Sequence, residues 1–335
     1  MTNPQTTADA KALDGKTIAV LGFGSQGHAH ALNLRDSGYE VVVGLRPGSR
    51  SAAFAEQEGL KVLPTAEAAA TGDLIVVLVP DEVQPGVWKD EIAPGLEAGN
   101  MVIFASGFAV HYDLVEPPPD VDVTIVAPKG PGHLVRRQFE SGLGVPGLIG
   151  IHQDHSGAAR ELALAYAAGI GCDRAGTIET SFKDETETDL FGEQAVLCGG
   201  MSALVQAGFD TLVEAGYDPR MAYYECVHEL KLIVDLVYEK GLAGMRESIS
   251  NTAEFGDYTR GRSIIDEAAR EHMREVLRQI QDGDFAREWM EAANGGSDEL
   301  SKLRSRAQGN LLERTGEELR GTMAWLDPGG DGSGA

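Results

Sequence analysis

The run Thr17-Ile18-Ala19-Val20-Leu21 leads directly into Gly22-Phe23-Gly24-Ser25-Gln26-Gly27 and then into the amphipathic stretch HAHALNL. An apolar strand, a turn with glycines spaced GxGxxG and a following helix make up the opening βα unit of a dinucleotide-binding sheet. The first glycine permits the tight turn, the second lets backbone approach a pyrophosphate, and the third lets helix and strand pack closely. The phosphates then meet helix N–H groups. In a chain with 42 glycines it is this context, not the spacing alone, that makes the motif specific. His28 and His30 stand two residues apart just inside the helix, so they point to different faces and read as packing or surface residues, not ligands.

From Lys16 to about Gln153, short β-rich apolar runs alternate with amphipathic stretches, the pattern of a parallel sheet flanked by helices. Strands are expected over Thr17 to Leu21, Glu40 to Leu45, Leu74 to Val79, Met101 to Phe104, Val123 to Val126 and Leu148 to His152. Their continuous apolar character suits strands covered on both faces. Past Thr180 the Val/Ile runs give way to helix-period sequence, as in GEQAVLCGGMSALVQAGFDTLVEAG and PRMAYYECVHELKLIVDLVYEKG. A boundary is expected near Ser181, where the polar run SFKDETETD begins. The fold class that follows is α/β plus all-α: a Rossmann dinucleotide-binding domain over residues 1–180 and a helical domain over 181–326. Residues 327–335, with Pro, Gly, Ser and Asp but no apolar anchor, are expected to be a disordered tail.

The second strand decides the cofactor. An NAD-specific fold usually presents Asp or Glu about 20 residues beyond the glycines, to bind the ribose 2′-hydroxyl. Here the sequence is GLRPGSRS, and Arg46, Ser49, Arg50 and Ser51 place cationic and hydroxyl donors where a 2′-phosphate would lie. NADP is favoured over NAD, the alternative being an ordinary solvent-exposed turn.

Lys+Arg total 28 against 52 Asp+Glu, a net charge of -24 that repels nucleic acid and anionic membrane surfaces alike. No apolar run approaches the roughly 20 residues that span a bilayer. The N-terminus MTNPQTTADA lacks the basic and apolar regions of a secretory signal. A soluble, cytoplasmic protein without nucleic-acid or membrane partners is expected. Cys172, Cys198 and Cys226 are odd in number and lack CxxC spacing, so they read as buried thiols and not as a disulfide framework or zinc site.

In ETETDLFGEQ, Asp189 and Glu193 stand four residues apart and share one helix face. Glu225 and Glu229 repeat that spacing in YYECVHELKLIVDL, an otherwise apolar helix, where burying acids unpaired would be costly. Taken singly, each pair reads better as a solvated helix face or a salt bridge to Lys231. Two such pairs in one helical domain behind a dinucleotide site reverse that preference, because oxygen-only ligands select magnesium or manganese.

At this point the residues resemble a family, the short-chain (class I) ketol-acid reductoisomerases. The resemblance runs from Gly15 to Leu326 and rests on GFGSQGHAHALNL, GLRPGSRS, VPDEVQ, VAPKGPGHLVR, ETETDLFGEQAVLCGG, HELKLIVDL and SISNTAEFGDY, in the family's order. It implies an NADP-dependent, magnesium-requiring enzyme with a knotted helical second domain. By this match Gly22, Phe23, Gly24, Ser25, Gln26, Gly27, Arg46, Ser49, Ser51, Asp81, Glu82, Val83 and Gln84 form the cofactor site. Asp189, Glu193, Glu225 and Glu229 would bind two Mg2+, Lys129 would lie near them, and Ser250 would contact the substrate. The resemblance also implies a homodimer, with Glu225, Glu229 and Ser250 supplied from the neighbouring subunit; assembly beyond that stays open. The implied reaction is magnesium-dependent alkyl migration in 2-acetolactate followed by NADPH reduction to a 2,3-dihydroxy acid, with Glu229 as a proton-transfer partner.

One loop departs from the family pattern. Where the family carries His-Gly-Phe-Asn, this chain has Ser106, Gly107, Phe108 and Ala109, so its catalytic histidine is replaced by Ser106, which cannot become a cation near neutral pH. His111 matches a second family histidine and is not a relocated substitute. Three readings follow. The leading one is a biosynthetic ketol-acid reductoisomerase of the branched-chain amino-acid pathway in which Ser106 is tolerated. A second is a specialised homologue, an NADPH-dependent 2-keto-acid reductase or a reductoisomerase for another substrate. A third is a non-catalytic NADP-binding protein, against which the retained carboxylates argue.

Overall fold

The computed structural model describes residues 9–295 and 299–323. It divides into two compact units, Met1–Thr188 and Asp189–Ala335. The division falls within the helix Phe182–Gly192. Phe182 is buried in the core of the first unit, so the polar run at the expected boundary begins as anchored helix. The tail expected at 327–335 lies outside the described residues.

The first unit is built on an eight-stranded sheet in the order β3-β2-β1-β4-β5-β6-β7-β8. The strands are β1 (Thr17–Leu21), β2 (Glu40–Leu45), β3 (Lys61–Pro64), β4 (Leu74–Val77), β5 (Met101–Phe104), β6 (Asp122–Pro128), β7 (Gly147–Gln153) and β8 (Thr177–Thr180). All neighbours pair parallel except β6 and β7, which run antiparallel. Alternate residues of the central strands feed two cores. Ile18, Val20, Val43, Val76 and Ile103 pack on one face, and Ala19, Leu21, Val42, Ile75, Val77 and Phe104 on the other. Double-sided burial explains the unbroken apolar runs.

Two strands escape the sequence reading. β3 and β8 are the edges of the sheet and hold only partly buried or exposed residues, so neither shows the apolar run that marks the interior. The strand expected to reach Val79 ends at Val77. Leu78 makes one last bond to the Leu21 carbonyl, 2.8 Å, and Pro80, which lacks an N–H, turns the chain out of the sheet.

The second unit is helical. Its principal helices are Gly199–Glu214, Glu229–Glu247, Asn251–Ile264, Glu267–Gln281, Asp284–Asn294, Glu299–Gln308 and Leu311–Arg320. Gly241, with φ 69° and ψ 175°, breaks Glu229–Glu247 in two. The core is small: Phe209, Ala222, Tyr223, Leu312, Leu319 and Met323. Large apolar side chains remain uncovered, including Leu197, Leu232, Val234, Phe255 and Tyr238, the last 90% exposed. The stretch Phe182–Glu214 is long and apolar enough, by length and composition, to cross a membrane. That corrects the expectation that no such stretch exists; glycines and polar residues dispersed through it keep it from reading as a continuous run. Acidic residues crowd its first half, and an exposed apolar face of this kind marks a contact surface.

Candidate active site

Sterics make the first βα turn. Gly22 has φ +102°, and a Cβ there would lie 2.7 Å from the Leu78 carbonyl oxygen. A Cβ on Gly27 would lie 2.2 Å from the carbonyl oxygen of Gly22. Neither position admits a side chain. Gly24 faces open space and caps the helix Ser25–Asp36 with no side-chain bond, leaving the first helix N–H groups available to an anion.

A cavity of about 550 Å³ opens at this turn. Gly22, Phe23 and Gly24 line it beyond β1, Leu78, Val79 and Pro80 beyond β4, and Gly44 to Arg46, Ser49 and Ser51 at the end of β2. It therefore sits at the carboxyl ends of the strands where strand order reverses, the place an open α/β sheet binds its ligand. The turn after β2 is closed by the Ser49 N–H donating to the Arg46 carbonyl at 3.1 Å. Arg46 is exposed. Val83 also lines the cavity.

The other expected cofactor residues are placed around this cavity, not in its lining. Gln26 donates to the Gly130 carbonyl at 2.9 Å. Gln84 is buried and donates to the Val79 carbonyl and to Asp81 Oδ1, at 3.0 and 2.9 Å. Ser25, Asp81 and Glu82 flank the turns that form it. His30 is fully buried with Nδ1 2.7 Å from the Tyr166 hydroxyl, and burial depresses its pKa to about 4. His28 stacks on Phe54, with ring centroids 5.3 Å apart, and burial lowers its pKa as well.

A second cluster lies at the ends of β5 and β6. The Gly107 N–H donates to Glu185 Oε2 at 3.0 Å, and Lys129 Nζ donates to Glu185 Oε1 at 2.8 Å. Glu185 is 1% exposed. Ser106 Oγ accepts the Phe108 N–H at 3.3 Å. His111 Nε2 stands 3.4 Å from Glu187 Oε1, and Tyr112 is pushed up to about 12 by burial and by the Glu187 charge. Glu185 is the residue that sequence reasoning missed. Its signal was present, since Glu185, Asp189 and Glu193 recur every four residues.

In the second unit, both expected metal-binding pairs coincide with a π-helical turn, an uncommon widening that concentrates at functional sites. Glu193 opens the turn Glu193–Leu197, and Glu225 lies within Tyr224–His228, immediately before Glu229. Glu193, Glu225 and Glu229 are exposed and Asp189 partly so. Leu232, Val234, Tyr238 and Leu242 of the Glu229–Glu247 helix are exposed as well, while Met245 is buried, so the acids are not buried within one chain. Lys231 pairs with Asp235 at 2.5 Å, not with either glutamate. Among the described residues no group of three or more His, Cys, Asp or Glu side chains converges to hold a metal. Ser250 caps the helix Asn251–Ile264, its Oγ accepting the Ala253 N–H at 3.2 Å.

Residues 12–176 match the family model for the acetohydroxy acid isomeroreductase NADPH-binding domain, and residues 182–325 match that for the ketol-acid reductoisomerase C-terminal domain. The chain belongs to the ketol-acid reductoisomerase family. The structure of an NADH-preferring ketol-acid reductoisomerase from an uncultured archean is similar at 45% identity and TM-score 0.92, over 95% of this chain and 97% of that one. Two more distant structures show the fold alone. One is a semialdehyde dehydrogenase NAD-binding protein from Cupriavidus necator in complex with calcium and NAD, at 20% identity and TM-score 0.57 over 79% of this chain and 99% of that one. The other is a 1-pyrroline-5-carboxylate reductase from Streptococcus pyogenes, at 13% and 0.53 over 80% and 98%. Membership in the reductoisomerase family favours that activity over a specialised reductase.

Proposed function

We propose that this chain is an NADPH-dependent, Mg2+-dependent ketol-acid reductoisomerase that converts 2-acetolactate to 2,3-dihydroxy-isovalerate in branched-chain amino-acid biosynthesis. The observation that carries this reading is the pairing, in one member of the family, of a dinucleotide cavity with two carboxylate pairs, each at a π-helical turn. In the reaction a proton leaves the C2 hydroxyl, the methyl group migrates from C2 to C3, and the C3 oxygen becomes a hydroxyl. Hydride and a proton then reduce the C2 ketone.

Asp189, Glu193, Glu225 and Glu229 offer only carboxylate oxygens, the donor set that suits hard divalent cations. Bound Mg2+ would supply Lewis-acid polarisation of the substrate hydroxyl and carbonyl oxygens. Glu229 would move a proton at the substrate oxygen, and Ser250 would hold the substrate. Lys129, held by buried Glu185, would present a fixed cation to the substrate, with Ser106 beside it as a neutral hydrogen-bonding group. NADPH is the preferred cofactor on this reading, since Arg46, Ser49 and Ser51 offer donors at the ribose end and no carboxylate stands at the end of β2 to bind a free 2′-hydroxyl.

Each chain offers pairs of acids and a large exposed apolar surface. A homodimer that shares its sites would cover that surface and bring four carboxylates together. The enzyme would act in the cytoplasm.

The test is NADPH oxidation with Mg2+, comparing 2-acetolactate with 3-hydroxy-3-methyl-2-ketobutyrate and identifying products. Turnover of both is expected. Turnover of the second compound alone would mean that reduction survives without migration. Turnover of neither would overturn the assignment.

A further inference from the structure

We infer that Glu91 reads the adenine of the cofactor by accepting a hydrogen bond from its exocyclic amine. The inference rests on a nicotinamide dinucleotide occupying the cavity at the β1–β4 reversal. Val83, Val87 and Glu91, spaced four residues apart, all line that cavity. The Gly22–Gly24 turn takes the pyrophosphate, and Arg46, Ser49 and Ser51 take the adenosine ribose, so the base extends to the part of the cavity lined by Thr65, Val83, Val87 and Glu91. The two valines offer an apolar surface to its face, and the carboxylate stands at the end of that row.

Glu91 lies in the π-helical turn Trp88–Ile92. Trp88 and Ile92 on either side of it are core residues, 5% and 0% exposed, so the turn is pinned while Glu91 remains partly exposed. The only other π-helical turns among the described residues carry Glu193 and Glu225. The Glu91 side chain forms no ion pair or hydrogen bond among the described residues. An ionised carboxylate only accepts hydrogen bonds, and the exocyclic amine is the only donor on the edge of adenine. A 6-oxo purine puts an acceptor oxygen in that place and moves its donor to N1, so the partial negative charge of a carbonyl, not an N–H, faces a carboxylate seated at the 6-position. The arrangement therefore selects adenine over hypoxanthine independently of the 2′-phosphate.

The experiment measures dissociation constants of the full-length protein for NADPH and for reduced nicotinamide hypoxanthine dinucleotide phosphate, in the wild type, Glu91→Ala and Glu91→Gln, with thermal melts to verify folding. The wild type is expected to favour NADPH by about tenfold, the scale of one charge-assisted hydrogen bond at a partly exposed site. Glu91→Ala should weaken NADPH by a similar factor and bind both dinucleotides within twofold of one another. Glu91→Gln, which can donate or accept, should also lose discrimination. Equal binding of the two dinucleotides by the wild type would overturn the inference, as would Glu91→Ala that binds NADPH unchanged or more tightly. A folded wild type that binds neither NADPH nor NADH would instead overturn the cofactor reading on which the inference rests.

Discussion

Replacing Arg46 by Ala should remove much of the preference for NADPH proposed above. Arg46, Ser49 and Ser51 line the cavity at the end of β2, and a 2′-phosphate there would accept up to three hydrogen bonds from them. A hydrogen bond to a charged group contributes about 1.5–3 kcal/mol. Arg46 is exposed, which puts its contribution at about 1.5 kcal/mol, roughly a tenfold change in Kd. With the two hydroxyls adding about as much together, the wild type should bind NADPH on the order of 100-fold more tightly than NADH. Arg46→Ala should weaken NADPH by about tenfold and leave NADH within twofold. Adding Ser51→Asp supplies a carboxylate that repels the phosphate and accepts from a free ribose hydroxyl, so the double variant should prefer NADH. Cofactor fluorescence titrations at low and high salt measure both constants, and the Arg46 contribution should shrink with salt as screening grows. Equal loss of NADPH and NADH in Arg46→Ala would refute the argument. So would a wild type that prefers NADH, as the archaeal relative at 45% identity does.

Acid should destabilise the first unit through His30, whose pKa is depressed by burial to about 4 from 6.5. The stability from keeping it neutral is complete above about pH 6.5 and is lost as pH falls toward 4, by roughly 2 kcal/mol at pH 5; urea midpoints at pH 7 and 5 should converge in His30→Phe/Tyr166→Phe, and an unchanged difference would count against it. Lys129→Met leaves the Glu185 carboxylate, 1% exposed, without its cation and should cost about 3 kcal/mol of stability; adding Glu185→Gln should restore part of it, and no recovery would mean that the loss is packing. Asp189→Asn and Glu225→Gln should each abolish turnover, while an unfolded and refolded equimolar mixture should regain about a quarter of wild-type activity, because in the proposed dimer with shared sites half of the dimers would be mixed and each of those would hold one intact site. No regain would place both pairs in one chain's site.

The parts of the fold legible in sequence are those where one physical constraint acts alone. At Gly22 and Gly27 a Cβ has nowhere to go, so the glycines appear at fixed spacing. In β1, β4 and β5 both faces are buried, so apolar runs mark them. β3 and β8 lie at the sheet's edges, mix exposed with partly buried positions and leave no such run. Glu185 is not legible because spacing alone does not separate a fully buried acid from more exposed ones along the same helical face. Its burial comes from the Gly107 amide and Lys129, which lie 78 and 56 residues away in sequence. The π-helical turns at Trp88–Ile92, Glu193–Leu197 and Tyr224–His228 have no compositional mark, so they are not legible in the sequence. The exposed apolar face of the second unit looks in sequence like ordinary core, since periodicity records that a face is apolar but not whether the chain's own residues cover it.

On the function proposed above, the replacement at Ser106 would bear on catalysis and not on architecture. The loop that carries it is shaped by its neighbours. The Gly107 N–H is held by Glu185, a Cβ on Gly107 would lie 2.3 Å from Thr186 Oγ1, and Phe108 and Ala109 are 2% and 0% exposed. Ala109 also removes a polar group that would need partners at a fully buried position. None of these constraints depends on the side chain at 106, which is partly exposed and bonds only to the Phe108 amide two residues on. Serine in place of the family's imidazole therefore subtracts one titratable group from a loop whose backbone stays where Lys129 and Glu185 hold it. What the site loses is a group that can become a cation near neutral pH. Whatever that loss costs should fall on the pH dependence of the reaction, while folding and cofactor binding stay as the rest of the loop sets them.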